Sequence, residues 1–249
     1  MRPEHAGVRG THSRRRLDAA VTLLSLLLLL LWDASGLDLP AARLFGSAGG
    51  FEGTHSFLLS HVMHDGGRLL AWLLLGALML AALLTAQKTR AGRPSRVERW
   101  RWIGVMLLCV VAVPALKRLS STSCPWDLAA FGGAAQHLSH WRWGVPDGGA
   151  GHCFPSGHAV AAFAFIGQYF LWRDVNARRA RIWLLAVLLT GAAFGLAQLA
   201  RGAHFPSHTL WTAWLCWCLC AGAAHVMPRG LPHRLPHPLP QPLPHRLPH

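Results

Sequence analysis

Four residues, Pro155-Ser156-Gly157-His158, offer a hydroxyl, a backbone that a ligand can approach closely and an imidazole, just before an apolar run that opens at Ala159. A helix starting there presents unpaired N–H groups and the positive end of its dipole, which suits an anion such as phosphate. A plain Pro-Ser cap with an incidental His fits those four residues equally well. What decides is whether other phosphate-handling groups converge on the same side of the apolar runs. Two further stations do: Lys117 to Asp127 and Arg201 to His208, each at the border of an apolar run. Lys117 and Arg201 supply positive charge, His158 and His204 can exchange protons, and Ser156 and Gly157 offer donors. That set suits phosphoryl transfer. Snorkelling cations and interfacial histidines account for one such station more readily than for three on one face.

The elements that must position these stations are membrane helices. The 249 residues are 52% hydrophobic and 14% charged, a balance that points to a polytopic, all-α membrane protein rather than a soluble domain. Six apolar runs are predicted as transmembrane helices, over about 17–32, 68–87, 102–119, 156–172, 182–200 and 208–226. A basic stretch before a leucine run also describes a signal peptide, with a weak cleavage candidate at residues 33–36, but five further runs favour a first membrane span. The expected organisation is a basic cytoplasmic N-terminus (1–16), two helices with their loops (17–101), a catalytic core (102–226) and a disordered Leu-Pro-His-Arg tail (227–249). With the N-terminus in the cytoplasm, Lys and Arg favour the cytoplasmic side by about three to one, a positive-inside pattern. The formal net charge of +14 is then topology, and no nucleic-acid partner is expected. Both termini are expected in the cytoplasm of a bacterial inner membrane, with the three stations on extracytoplasmic, periplasmic loops.

His55, His61 and His64 lie in a loop, 34–66, of little regularity. They are not expected to bind metal, since no acid or Cys was found to complete a set at helical spacing. Cys109, Cys216, Cys218 and Cys220 fall within apolar runs and read as small hydrophobes. Cys124 and Cys153 are the two cysteines in a polar loop, where a disulfide is plausible if that loop meets an oxidising compartment.

These residues resemble those of the type 2 phosphatidic acid phosphatase superfamily, whose membrane members have six helices. Its central motif stands intact as Pro155-Ser156-Gly157-His158. The stretch Gly202-Ala203-His204-Phe205-Pro206-Ser207-His208 resembles the part of its third motif around the nucleophilic His, and Lys117 followed by six residues and Cys124-Pro125 resembles its first. The resemblance covers about 102–226. It implies that His204 attacks phosphorus to give a phosphohistidine and that His158 protonates the leaving oxygen and later activates water. Lys117, Ser156, Gly157 and Arg201 would then bind phosphate, with no metal and no cofactor. Three family positions differ: Cys124 and Gln198 stand where the family has Arg, and His208 where it has the Asp that orients the nucleophile. Relocation is the favoured reading, with Arg201 or Arg142 restoring a guanidinium and Asp127 or His208 orienting His204. Weakened activity is the competing one. A Cys124–Cys153 bond would tie the first motif to the second.

The expected function is therefore hydrolysis of a lipid phosphate or lipid pyrophosphate at the outer face of the inner membrane. The expected partners are that substrate and the surrounding membrane lipids. A lipid phosphotransferase needs the same residues, and a non-catalytic lipid-phosphate-binding protein would explain the altered motifs. A haem- or metal-carrying bundle is disfavoured because His158, His204 and His208 sit at helix ends rather than facing one another within the bilayer.

Overall fold

The computed structural model describes residues 4–86 and 92–227, with side chains from His12 onward. All of the expected disordered tail, 227–249, except Met227, and part of the basic N-terminus lie outside the described residues. The chain is mostly helical: α1 (Glu4–Ser35), α2 (Asp38–Arg43), α3 (Gly67–Leu84), α4 (Arg96–Leu119), α5 (Val160–Phe163), α6 (Ile166–Trp172), α7 (Ala177–Ala200) and α8 (Pro206–Val226). Among the described residues, five helical stretches are long and apolar enough to cross a membrane: 12–35, 58–84, 96–119, 177–200 and 206–226. Their outward faces carry Leu23, Leu69, Leu73, Val111, Leu185 and Leu189 exposed, as expected of helices whose solvent is lipid.

The fourth predicted span differs from the rest. Val160–Trp172 is apolar but short, and thirteen residues of α-helix cover only about 20 Å of the ~30 Å hydrocarbon layer. The run is broken between α5 and α6. It opens with tight i→i+3 bonds, from the Ala161 amide to the His158 carbonyl and from the Ala162 amide to that of Ala159. The expected helix N-terminus at 156–158 is thus a series of turns before a four-residue helix, and a macrodipole contributes little there.

Residues 34–66 are more ordered than the sequence suggests. Beyond α2, a two-stranded ribbon pairs β1 (Gly46–Ser47) with β2 (Gly50–Phe51). A 3₁₀ turn, Glu52–His55, and a π-helix, Leu58–Gly66, then run straight into α3. The span expected from residue 68 therefore begins ten residues earlier.

The core lies where α4, α5, α6, α7 and α8 meet, around Trp102, Met106, Phe163, Phe170, Val187 and Cys216. Helix α1 packs on α8, with the Trp214 and Trp217 indole N–H groups donating to the Thr22 carbonyl and hydroxyl. At one end Asp18 of α1 accepts from the Arg173 guanidinium at 2.8 and 3.0 Å. Both are buried, and two charges are tolerated there because each neutralises the other. At the opposite end the Asp38 carboxylate takes the amide and the hydroxyl of Ser207. It thereby caps the start of α8 from a distant part of the chain.

Candidate active site

Helix α4 brings Lys117 to one end of the bundle in its last turn. Pro114, three residues earlier, has no N–H to give the preceding turn and loosens the helix there. The chain then runs through 120–124 beside 151–153. The His152 amide donates to the Ser120 carbonyl and the Cys153 amide to that of Thr122, both at 2.9 Å. A disulfide joins Cys124 to Cys153, and the Asp147 carboxylate accepts from the Ser123 amide and hydroxyl and the Gly149 amide. The His158 turn is thereby held next to Lys117, and an added Cβ on Gly157 would sit 3.5 Å from the Lys117 Cδ.

The third station follows α7. Its end is locked by Gly202, at φ +70°, where the Phe51 ring lies 2.3 Å from the place a Cβ would take. Only glycine meets both demands. The Trp126 amide donates to the Gly202 carbonyl and the Thr54 hydroxyl to that of Arg201. This turn delivers Arg201 and His204 to the same cavity.

That cavity has a volume of about 470 Å³. Its polar end is made by Lys117, His158, Arg201, His204, His64 and Arg68, and its other end by Leu75, Met106, Val110, Val160, Ala164 and Phe165. Of the residues singled out in the sequence, Lys117, Gly157, His158, Arg201, His204 and Cys124 line it. Four others do not. Ser156 is fully buried, its hydroxyl accepting from the Ala159 amide at 3.4 Å. The Asp127 carboxylate accepts from the Cys124 amide at 3.2 Å, which makes it part of a local turn. Arg142 is exposed. His208 lies behind His204, with their Nδ1 atoms 3.4 Å apart.

His204 is buried, and its Nδ1 faces both the His208 Nδ1 and the Cys153 sulfur, each at 3.4 Å. With Nδ1 occupied on that side, Nε2 is the nitrogen left for the cavity. Burial, and then the charges of His208, Lys117 and His158, hold the His204 imidazole well below its ordinary pKa, so it is neutral, as a nucleophile must be. Burial likewise pushes His158 down to about 4, helped by His64. Neither His158 ring nitrogen makes a close hydrogen bond, although the Met63 backbone is near enough to favour protonation of that ring, and an arriving phosphate dianion favours the protonated form further. Arg201 donates to the Gln198 Oε1 at 3.4 Å, while its Nε and the Gln198 Nε2 stand without partners. Such orphaned buried donors ask for an acceptor.

His64 and Arg68 line the cavity but carried no expected role. The acid beside them, Asp65, also went uncounted, although it lies four residues from His61 and its carboxylate meets both imidazoles. The one usable signal was helical spacing: residues 64, 68 and 72 lie on one face, and all three line the cavity. Among the described residues, the Cys124 and Cys153 sulfurs and a His204 nitrogen lie close enough together to hold a metal, but the disulfide uses both sulfurs.

A family model described as the PAP2 superfamily matches residues 99–231, more than half of the chain. It includes every cavity-lining residue except those between 64 and 75. No curated protein and no solved structure matches the chain.

Proposed function

The chain belongs to the PAP2 superfamily, and from that premise we propose that this membrane phosphatase hydrolyses a lipid phosphate or lipid pyrophosphate through a phosphohistidine. The observation that carries this reading is the two-ended cavity. Lys117 and Met106 both line it and sit eleven residues apart on α4, about 16 Å along the helix. A cationic mouth and an apolar channel of that depth match an amphiphile whose phosphate stays at the membrane surface.

In this reading His204 Nε2 attacks phosphorus and the bond to the leaving oxygen breaks, with His158 giving that oxygen a proton. A water then attacks the phosphohistidine, His158 takes its proton, and His204 is released with inorganic phosphate. Lys117 and Arg201, with the Gly157 backbone and the unpartnered Gln198 amide, surround the charge on the equatorial oxygens. A single donor so placed is worth roughly 3–4 kcal/mol in the transition state. No step in this sequence requires a metal or cofactor. Five long apolar helices and the short α5–α6 stretch support six crossings. The charge asymmetry of the sequence supports cytoplasmic termini and an outward-facing site in the inner membrane.

The test is phosphate release by purified protein in detergent from phosphatidic acid, phosphatidylglycerol phosphate and undecaprenyl pyrophosphate, beside His204→Ala. Release at wild-type rate by the variant would end the proposal. The expected result is loss of turnover by at least about a thousandfold, with the variant still inserted in membranes.

A further inference from the structure

Residues 51–68 lie outside the family-matched stretch, yet they close one wall of the site. The segment docks through contacts that leave it little room to shift. An added Cβ on Gly53 would lie 2.2 Å from the Ala200 carbonyl oxygen, and one on Gly67 would lie 2.6 Å from the Phe194 ring. The Thr54 hydroxyl holds the Arg201 carbonyl at 2.9 Å. The docked segment contains the π-helix, a form that recurs at functional sites because it re-aims side chains relative to an α-helix.

His64, within the π-helix, and Arg68, in the first turn of α3, both face the phosphate end. The His64 ring stacks on His158 with centroids 4.6 Å apart and planes at 28°. Phe194 meets His158 at 4.7 Å. Neither His158 nitrogen makes a close hydrogen bond, so these two rings, together with a looser contact to the Met63 backbone, hold the direction in which that imidazole points. His64 is itself fixed through Nδ1, 2.9 Å from the Asp65 carboxylate. Arg68, one turn on, also lines the cavity and lies near enough to His158 for its charge to be felt there. Among the described residues, the cavity's three cations, Lys117, Arg201 and Arg68, have no ion-pair partner within 4.0 Å. Lys117 and Arg201 alone match one phosphate dianion, and a third cation suits a phosphate in transfer or a pyrophosphate.

We propose that Arg68 is a substrate-binding residue of the phosphate site and that His64 is a positioning residue that aims His158 by ring stacking. The proposal rests on the phosphatase reading for His64 and on anion binding alone for Arg68.

The test uses full-length protein in detergent and two probes. Inorganic phosphate is titrated against the fluorescence of Trp72 and Trp126, which line the cavity, and turnover is followed on dioleoyl phosphatidic acid. Arg68→Gln should weaken phosphate binding and raise KM by about tenfold, the scale of one lost charge-assisted hydrogen bond, with Arg68→Lys recovering part of it. His64→Ala should lower kcat with KM kept, and His64→Phe, which keeps the stacked ring without its nitrogens, should restore most of the loss. Wild-type phosphate affinity in Arg68→Gln overturns the first assignment even if lipid turnover is robust. Equal damage from His64→Phe and His64→Ala overturns the second. Arg68-dependent phosphate binding without lipid turnover in the wild type sustains Arg68 while removing both the phosphatase reading and the role of His64.

Discussion

The Nδ1 atoms of His204 and His208 lie 3.4 Å apart with their rings at 65°, so the proposed nucleophile is backed by an imidazole rather than a carboxylate. Behind His208, in T-shaped contact with it at 6.2 Å, stands His140, whose Nε2 meets the Asp33 carboxylate at 3.2 Å. That carboxylate also accepts from the indole N–H groups of Trp141 and Trp211. The negative charge thus lies one layer further back than a direct His–Asp pair would put it, and in the proposed mechanism His208 takes the orienting place beside His204 Nδ1.

Removing that partner has a defined consequence. His208→Ala leaves the His204 ring free to turn away from Nε2 attack, and small misplacements of a reacting group cost on the order of a hundredfold. The expected outcome is a kcat drop of that size with KM unchanged, measured on the lipid phosphate that the wild type hydrolyses best. A rise in KM at constant kcat would instead assign His208 to substrate binding.

Burial of neutral imidazoles makes the fold sensitive to acid. His158 is held down to about 4 and His204 well below 6.5, so in this range the unfolded chain binds protons that the folded chain does not. Stability is therefore complete above about pH 6.5 and falls as the pH drops towards 4. The His158 share is about 3 kcal/mol. Thermal unfolding in detergent should show a lower midpoint at pH 4.5 than at pH 7.5, and His158→Gln should flatten the difference. A midpoint independent of pH across that range would contradict the buried, neutral state of both rings.

The Cys124–Cys153 bond closes a loop over a sequence separation of 29 and holds a sulfur against His204 Nδ1. Closing a loop of this size contributes roughly 2–4 kcal/mol, and here it also fixes the wall behind the nucleophile. Cys124→Ser should lower the unfolding midpoint and cut kcat by about tenfold, within the range that misplacing a reacting group costs. Mass spectrometry with thiol labelling of the oxidised wild type should find neither thiol reactive, and two labelled cysteines would refute the bond.

How far the sequence alone reached can be judged residue by residue. Lys117, Gly157, His158, Arg201 and His204 were legible because each borders an apolar run, where polar groups are costly and therefore informative. Ser156 was legible as a cap as well as a ligand, and geometry gives it to the Ala159 amide. Asp127 was plausible by proximity alone, but a 3₁₀ turn, Pro125–Asp127, claims its carboxylate. His64 stood only as one of three loop histidines and Arg68 not at all, because both sit about ninety residues before the central motif, and only tertiary docking of 51–68 brings them in. The same limit hid Asp38, whose hold on Ser207 joins positions 169 apart. The break between α5 and α6 was hidden because hydropathy reports an apolar run without reporting an interruption within it.

The sequence offered Arg201 and Arg142 as alternative guanidiniums, and their positions in the structure make the choice measurable. Arg201 is half-buried, its pKa lowered by burial with Asp65 acting the other way, and its Nε is unpartnered beside the cavity. Arg142 is exposed on the long loop and does not line the cavity. A charge at an exposed site exchanges water for ligand at little gain, whereas a partly buried guanidinium with free donors contributes about 1.5–3 kcal/mol per charged hydrogen bond. Arg201→Gln should therefore raise KM for a lipid phosphate by about tenfold or more, while Arg142→Gln leaves both kcat and KM within about twofold of wild type, as surface substitutions do. Because Arg201 sits in a locked turn, unfolding midpoints for both variants separate lost binding from lost structure. The reverse pattern, with Arg142→Gln impaired and Arg201→Gln intact, would move the phosphate site out of the cavity and onto the loop.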